Sequence, residues 1–153
     1  MIIIGILITI VILGILAFTN LTKEKNPATA AQFTQIMENN GYVVQDATYQ
    51  MKENVKRIII ALKSDYSYQI EFFEVETEEQ AQRAYVQNKT NFEKEASNVK
   101  STIEINGKNF NKYVTTTGEN YCVISRIGNT FIYAKVPSNY KEEVSKIIKN
   151  MDY

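Results

Sequence analysis

Histidine is absent from the 153 residues, and cysteine occurs once, at Cys122. Without histidine the chain lacks the commonest general base and the commonest transition-metal ligand. One cysteine excludes an internal disulfide framework and a multi-cysteine metal site. Neither sign of charge dominates, since 17 Lys and Arg balance 17 Asp and Glu. A nucleic-acid binder would show a basic face and net positive charge, and a lipid-binding patch would need clustered lysines; neither pattern is present. No G-x-S-x-G elbow or S-x-x-K signature occurs. No glycine-rich phosphate loop occurs either, because Gly107, Gly118 and Gly128 each stand in a turn context. These absences argue against an enzyme. They predict no catalytic residue, no cofactor, no metal ligand and no nucleic-acid partner. An enzyme built on a carboxylate or a lysine is the minor alternative.

What the chain does have is a long apolar opening. From Ile2 to Phe18 no side chain is charged, and Ile, Leu, Val and Ala are interrupted only by Gly5, Thr9 and Gly14. As a helix this run would rise about 26 Å at ~1.5 Å per residue, close to the ~30 Å hydrocarbon core of a bilayer. It is apolar all round, where a soluble helix would show a polar stripe. No Lys or Arg precedes it, it exceeds a usual signal-peptide core, and Ala17-Phe18-Thr19-Asn20 is a poor cleavage site. The expectation is therefore an uncleaved signal-anchor over residues 1–19, a linker over 20–28 and a single α+β domain over 29–153. Membrane contact falls to residues 2–18. Lys23 and Lys25 behind the run, taken literally, would hold the domain in the cytoplasm. Small domains behind a single N-terminal anchor are more commonly exported, so a single-pass protein of the cell membrane with an extracytoplasmic domain is expected. An excess of Lys over Arg and frequent Ile and Asn suggest a bacterial source.

Beyond the linker, punctuation alternates with apolar periodicity. Pro27 suits a first helical turn, and Thr29-x-x-Gln32 reads as a capping box. Phe33, Ile36 and Met37 supply an apolar face, and Asn39-Asn40-Gly41 supplies a stop, with Gly41 left-handed. Strands are predicted over Tyr42 to Tyr49, Val55 to Leu62 and Tyr66 to Glu76, with Ser64-Asp65 as a tight turn. In the last of these, Tyr68, Ile70 and Phe72 fall on one face while Phe73 and Val75 fall on the other. Either both faces are covered or a bulge switches the phase. Thr77-x-x-Gln80 is a second capping box, with Glu78 and Glu79 in the first turn. The helix it opens is expected to run to about Ser97. Four strands follow, at Val99–Ile105, Phe110–Thr116, Tyr121–Ile127 and Thr130–Val136. Asn106-Gly107 and Gly128-Asn129 are read as two-residue hairpin loops, with a third turn at Thr117–Asn120. Asn139-x-x-Glu142 resembles a third cap, and Tyr140, Val144, Ile147, Ile148 and Met151 mark a last helical face.

The predicted order is α-βββ-α-ββββ-α. Hairpin-linked strands imply an antiparallel sheet, and one-faced helices imply a layer packed on it. The expectation is a two-layer α+β sandwich, or a curled sheet wrapped around a helix.

Three clusters have chemical potential. The acidic run Glu71, Glu74, Glu76, Glu78, Glu79 has the density of a Ca²⁺ site, but it lacks the Asp, Asn and Gly spacing of a calcium loop; it reads as a solvated edge plus helix-start glutamates. Cys122 has no cation beside it in sequence, and reads as packed and inert. Tyr66, Tyr68, Tyr113, Tyr121 and Tyr133 suit either a half-buried sheet or a recognition face, and the sheet is favoured. The functional expectation is a membrane-anchored, non-enzymatic binding module whose protein or ligand partner is unknown. The alternative is an accessory or structural subunit of a membrane complex.

Overall fold

A computed structural model describes residues 23–50 and 55–153. The expected anchor over residues 1–19 lies outside them. Among the described residues no helix is long and apolar enough to cross a membrane.

The order of elements is the one predicted. Helix α1 (Ala30–Asn39) leads to strands β1 (Val43–Asp46), β2 (Val55–Leu62) and β3 (Gln69–Val75). Helix α2 (Glu78–Glu95) follows, then β4 (Ser101–Asn106), β5 (Phe110–Thr116), β6 (Asn120–Ile127) and β7 (Thr130–Pro137), and finally α3 (Lys141–Asn150). All seven strands form one antiparallel sheet in the order β1-β2-β3-β7-β6-β5-β4. Two meanders, β1 to β3 and β4 to β7, thus meet at the β3–β7 seam.

The layer count differs from expectation. Helices cover both faces of the sheet. On one face α1 and α3 bury Phe33, Met37, Val144 and Ile148 against Ile70, Phe72, Val123, Ile132 and Val136. On the other face α2 buries Ala81, Tyr85 and Phe92 against Tyr113, Cys122, Ile124 and Phe131. This resolves the two-phase pattern of β3. Its register against β7 is continuous, and its Phe72 and Phe73 point into opposite cores. The register shift lies instead in β2, between Val55 and Arg57. Central strands buried on both sides read as unbroken apolar runs, and periodicity alone does not separate that case from a one-sided strand.

Local chemistry explains the ends of the elements. Both T-x-x-Q boxes form. Thr29 accepts from Gln32 N–H at 3.2 Å, Thr77 accepts from Gln80 N–H at 3.2 Å, and each glutamine carbonyl reaches back to the cap N–H. Gly41 closes α1 at φ +81°. The third predicted cap does not form. Ser138–Tyr140 is a 3-10 turn, and α3 starts at Lys141 behind Tyr140, with no side-chain cap. Tyr66, expected in a strand, sits in the β2–β3 turn at φ +59°. Asn106-Gly107 is not the centre of its hairpin. Gly107 N–H donates to Phe110 C=O at 2.9 Å, so Lys108 and Asn109 make the turn. Gly107 has a different role. A Cβ there would lie 2.0 Å from the Phe110 ring, so only glycine lets this core aromatic fold back over the hairpin.

Polar latches hold α3. At its N-terminal end, Glu143 accepts from Tyr42 Oη at 2.9 Å and from Lys63 Nζ, and Tyr42 Oη also pairs with Tyr68 Oη. Burial pushes the Glu143 carboxyl up, but the hydrogen bonds from Lys63 and Tyr42 outweigh it and hold the group below the usual range. Burial and the same carboxylate push the Tyr42 phenol well above its usual range. Past its C-terminal end, the buried Tyr153 hydroxyl meets Thr130 Oγ1.

Phe72 is fully buried and stacks on Phe33 with centroids 5.3 Å apart. Phe72→Ala is expected to cost about 3–5 kcal/mol in urea unfolding. Val86→Ala, at a half-exposed site on α2, is expected to change stability by less than ~0.5 kcal/mol.

Candidate functional site

The surface most open to a partner is the edge strand β4. All six of its residues are exposed, unlike those of any other strand in the sheet. Its pairing with β5 is unbroken from Ser101↔Thr116 to Asn106↔Asn111. Because Gly107 bonds inward to Phe110, alternation turns the backbones of Ile105, Ile103 and Ser101 inward as well. The N–H and C=O groups of Thr102, Glu104 and Asn106 are left facing out. Natural sheets blunt such edges with Lys, Pro or bulges. Ser101–Asn106 contains no Lys, Pro or register shift. Its one charged side chain, Glu104, is turned back onto α2 by Lys89 at 2.6 Å. Ile103 is 54% exposed and Ile105 38%, giving the edge an apolar side on the α3 face of the sheet. The opposite edge is guarded. β1 has four residues, and Asp46 at its end caps Thr48 N–H at 2.9 Å and faces Arg57 at 3.6 Å.

Beside the start of β4, on the α2 face, Thr115, Cys122 and Lys135 are neighbours across β5, β6 and β7. They line a cleft of about 60 Å³ with Phe92, Glu95 and Asn120. Thr115 Oγ1 is buried and has no hydrogen-bond partner among the described residues. Lys135 Nζ is held by Glu95 at 2.7 Å. A volume of this size holds a few water molecules, and a buried hydroxyl is satisfied by one of them. Burial pushes the Cys122 thiol up to about 11, against the smaller opposing pull of Lys135. The thiol is therefore protonated at neutral pH and a poor nucleophile, as its sequence context implied. A second, shallower trough of about 520 Å³ lies between α1 and the β1–β2 edge, lined by Thr34, Asp46, Arg57 and Glu74.

The other residues singled out by sequence do not converge. Glu71 and Glu74 point to opposite faces of β3, Glu76 faces Lys56 at 3.6 Å, and Glu78 and Glu79 occupy the first turn of α2. The backbone N–H of Glu79 and the Thr77 hydroxyl beside it hold the Glu79 carboxyl below its usual range. No group of three or more acidic or cysteine side chains among the described residues is arranged to hold a metal. Tyr68, Tyr113 and Tyr121 are buried in the sheet cores and Tyr133 is half-buried, while Tyr66 is exposed in its turn. Sequence reasoning passed over Arg126. It is 6% exposed on the α2 face, donating to Asn111 Oδ1 at 2.9 Å and to Gly128 C=O at 2.8 Å. The alternation of β6 placed it among apolar residues, and that was the available signal. No family model, curated protein or solved structure matches the chain.

Two measurements check this geometry. In amide exchange, Thr102, Glu104 and Asn106 should exchange at least about tenfold faster than Ile103 and Ile105, because only the inward amides are bonded. Equal protection across β4 would remove the open edge. Cys122 should resist a thiol reagent at pH 8 in the native protein and react fully once unfolded in urea.

Proposed function

We propose that the chain is a membrane-anchored, non-enzymatic binding module, with its domain outside the cytoplasm, that accepts an extended polypeptide segment along β4. The observation that carries this reading is the six-residue edge whose outward backbone groups have no partner and no guard among the described residues. An incoming strand would bond to Thr102, Glu104 and Asn106 through its main chain, the mode in which backbone bonds give affinity and alternate side chains give selectivity. Residues opposite Ile103 and Ile105 would be apolar. The anchor part of the reading rests on the charge-free run from Ile2 to Phe18.

Thr102→Pro separates edge pairing from folding. Proline at an outward-facing edge position removes a donor that the domain itself does not use, and leaves the Lys89–Glu104 pair in place. The full chain in detergent is tested on an array of immobilised extended peptides that alternate apolar and polar residues. Wild type is expected to bind a subset, and Thr102→Pro to weaken that binding at least about tenfold with the thermal midpoint within a few degrees of wild type. Binding that survives the proline, or no binding to any alternating peptide, would sink the edge as the site.

A further inference from the structure

The segment that leads from the apolar run into the domain is pinned at one point. Lys25 N–H donates to Asn109 Oδ1 at 2.9 Å, and its C=O accepts from Asn109 Nδ2 at 2.8 Å. Its ammonium reaches Asp152 at 3.0 Å and lies 4.7 Å from the centre of the Phe110 ring. On either side, Glu24 pairs with Lys108 at 2.9 Å and Ala28 N–H donates to the Tyr153 hydroxyl at 3.3 Å. These contacts all lie at one end of the sheet, where the Lys108–Asn109 and Gly128–Asn129 turns emerge. Only six residues lie between Phe18 and Lys25, so seven Cα-to-Cα steps link them. Fully extended they reach about 25 Å. The opposite end of the sheet, with the Ser64–Ser67 and Thr117–Asn120 turns, lies a further strand length away, about 26 Å for eight residues at ~3.3 Å each.

We infer that the end carrying the Lys108–Asn109 and Gly128–Asn129 turns is the membrane-proximal surface of the domain, held against lipid headgroups by the Asn109–Lys25 clamp, with the Ser64–Ser67 end directed away. The inference rests on the reading of residues 2–18 as an anchor. The clamp is what turns a tether into an orientation. Without it the free chain would lengthen towards Thr29, and the domain would turn about the longer link. The partner surface is the polar headgroup layer. The end facing it carries Lys23, Glu24, Lys108, Asn109 and Asn129, of mixed charge, with Tyr49 exposed past β1 and Ile105 partly exposed beside the β4–β5 turn.

Full chain is reconstituted into phosphatidylcholine vesicles in which a fraction of the lipid carries a headgroup nitroxide. Lys108→Cys and Ser64→Cys, both at exposed positions, are labelled with a fluorophore under native conditions, with the wild type and its buried Cys122 as background. Quenching at position 108 is expected to exceed that at position 64 at least about threefold, since headgroup quenching is lost beyond one or two nanometres and the two ends differ by about 26 Å. Asn109→Ala, which removes both clamp hydrogen bonds, is expected to bring the contrast below about twofold while vesicle flotation is unchanged. Equal quenching at the two positions, stronger quenching at 64, or a contrast unaffected by Asn109→Ala would overturn the orientation. If the chain fails to float with vesicles, the anchor reading itself is overturned, and the inference with it.

Discussion

The constraint on which the rest depends is that the three central strands carry apolar side chains on both faces. β3, β7 and β6 present Ile70, Ile132 and Val123 to one side and Phe73, Phe131 and Ile124 to the other. Leaving either side wet would expose several large side chains, each worth about 1.5–3 kcal/mol when buried. The fold satisfies both sides with three helices. Among the described residues α1 and α3 share one face, and α2 alone covers the other as it crosses from central β3 to the far edge at β4. A helix is about 10 Å wide and strands are spaced ~4.8 Å apart, so a single helix shelters two or three strands well. Seven strands exceed that cover. The exposure of β4 is thus a consequence of how the core is shielded, and the open edge and the double core have one cause.

Much of this was legible in the sequence because it is written locally. The order of elements, the two T-x-x-Q boxes, the left-handed Gly41 and the full extents of β2 and β5 follow from residues within a turn or a strand of one another. The failures share a different origin. Asn106-Gly107 has the chemistry of a hairpin centre, yet the glycine is needed one step earlier, beneath the Phe110 ring. Asn139 and Glu142 have the spacing of a cap, but the chain leaves Pro137 through a 3-10 turn, and the helix begins too late for Asn139 to reach it. Tyr66 has strand propensity but stands where the turn demands positive φ. In each case the geometry of the adjoining turn overrode the preference read from the residue types alone.

The candidate edge was not legible, and the reason is physical. The sequence Ser-Thr-Ile-Glu-Ile-Asn alternates as a half-buried strand would, and nothing in it distinguishes an edge from an interior position. Edge status is a property of the sheet order, which depends on α2 carrying the chain past β7, β6 and β5 before β4 pairs. The burial of Cys122 was legible for the opposite reason. Alternation along β6 put it on the α2 face, between Thr115 and Lys135 and beside Phe92, where burial decides the state of its thiol.

The two polar latches on the α1–α3 face differ in what they connect. At the N-terminal end of α3, Glu143 draws together Tyr42 from the end of α1, Lys63 from the end of β2, and, through Tyr42, Tyr68. Past the C-terminal end, Tyr153 meets Thr130 and Ala28, its carbonyl oxygen accepts from Lys112 at 2.7 Å, and Asp152 holds Lys25. The first latch joins elements inside the domain. The second joins the domain to the segment that leads towards the apolar run. An exposed ion pair such as Lys25–Asp152 contributes little alone, whereas the paired amide contacts of Asn109 with both backbone groups of Lys25 fix direction as well as distance. The clamp on the linker, at Asn109, and the exposed outer strand β4 therefore belong to one hairpin, β4–β5.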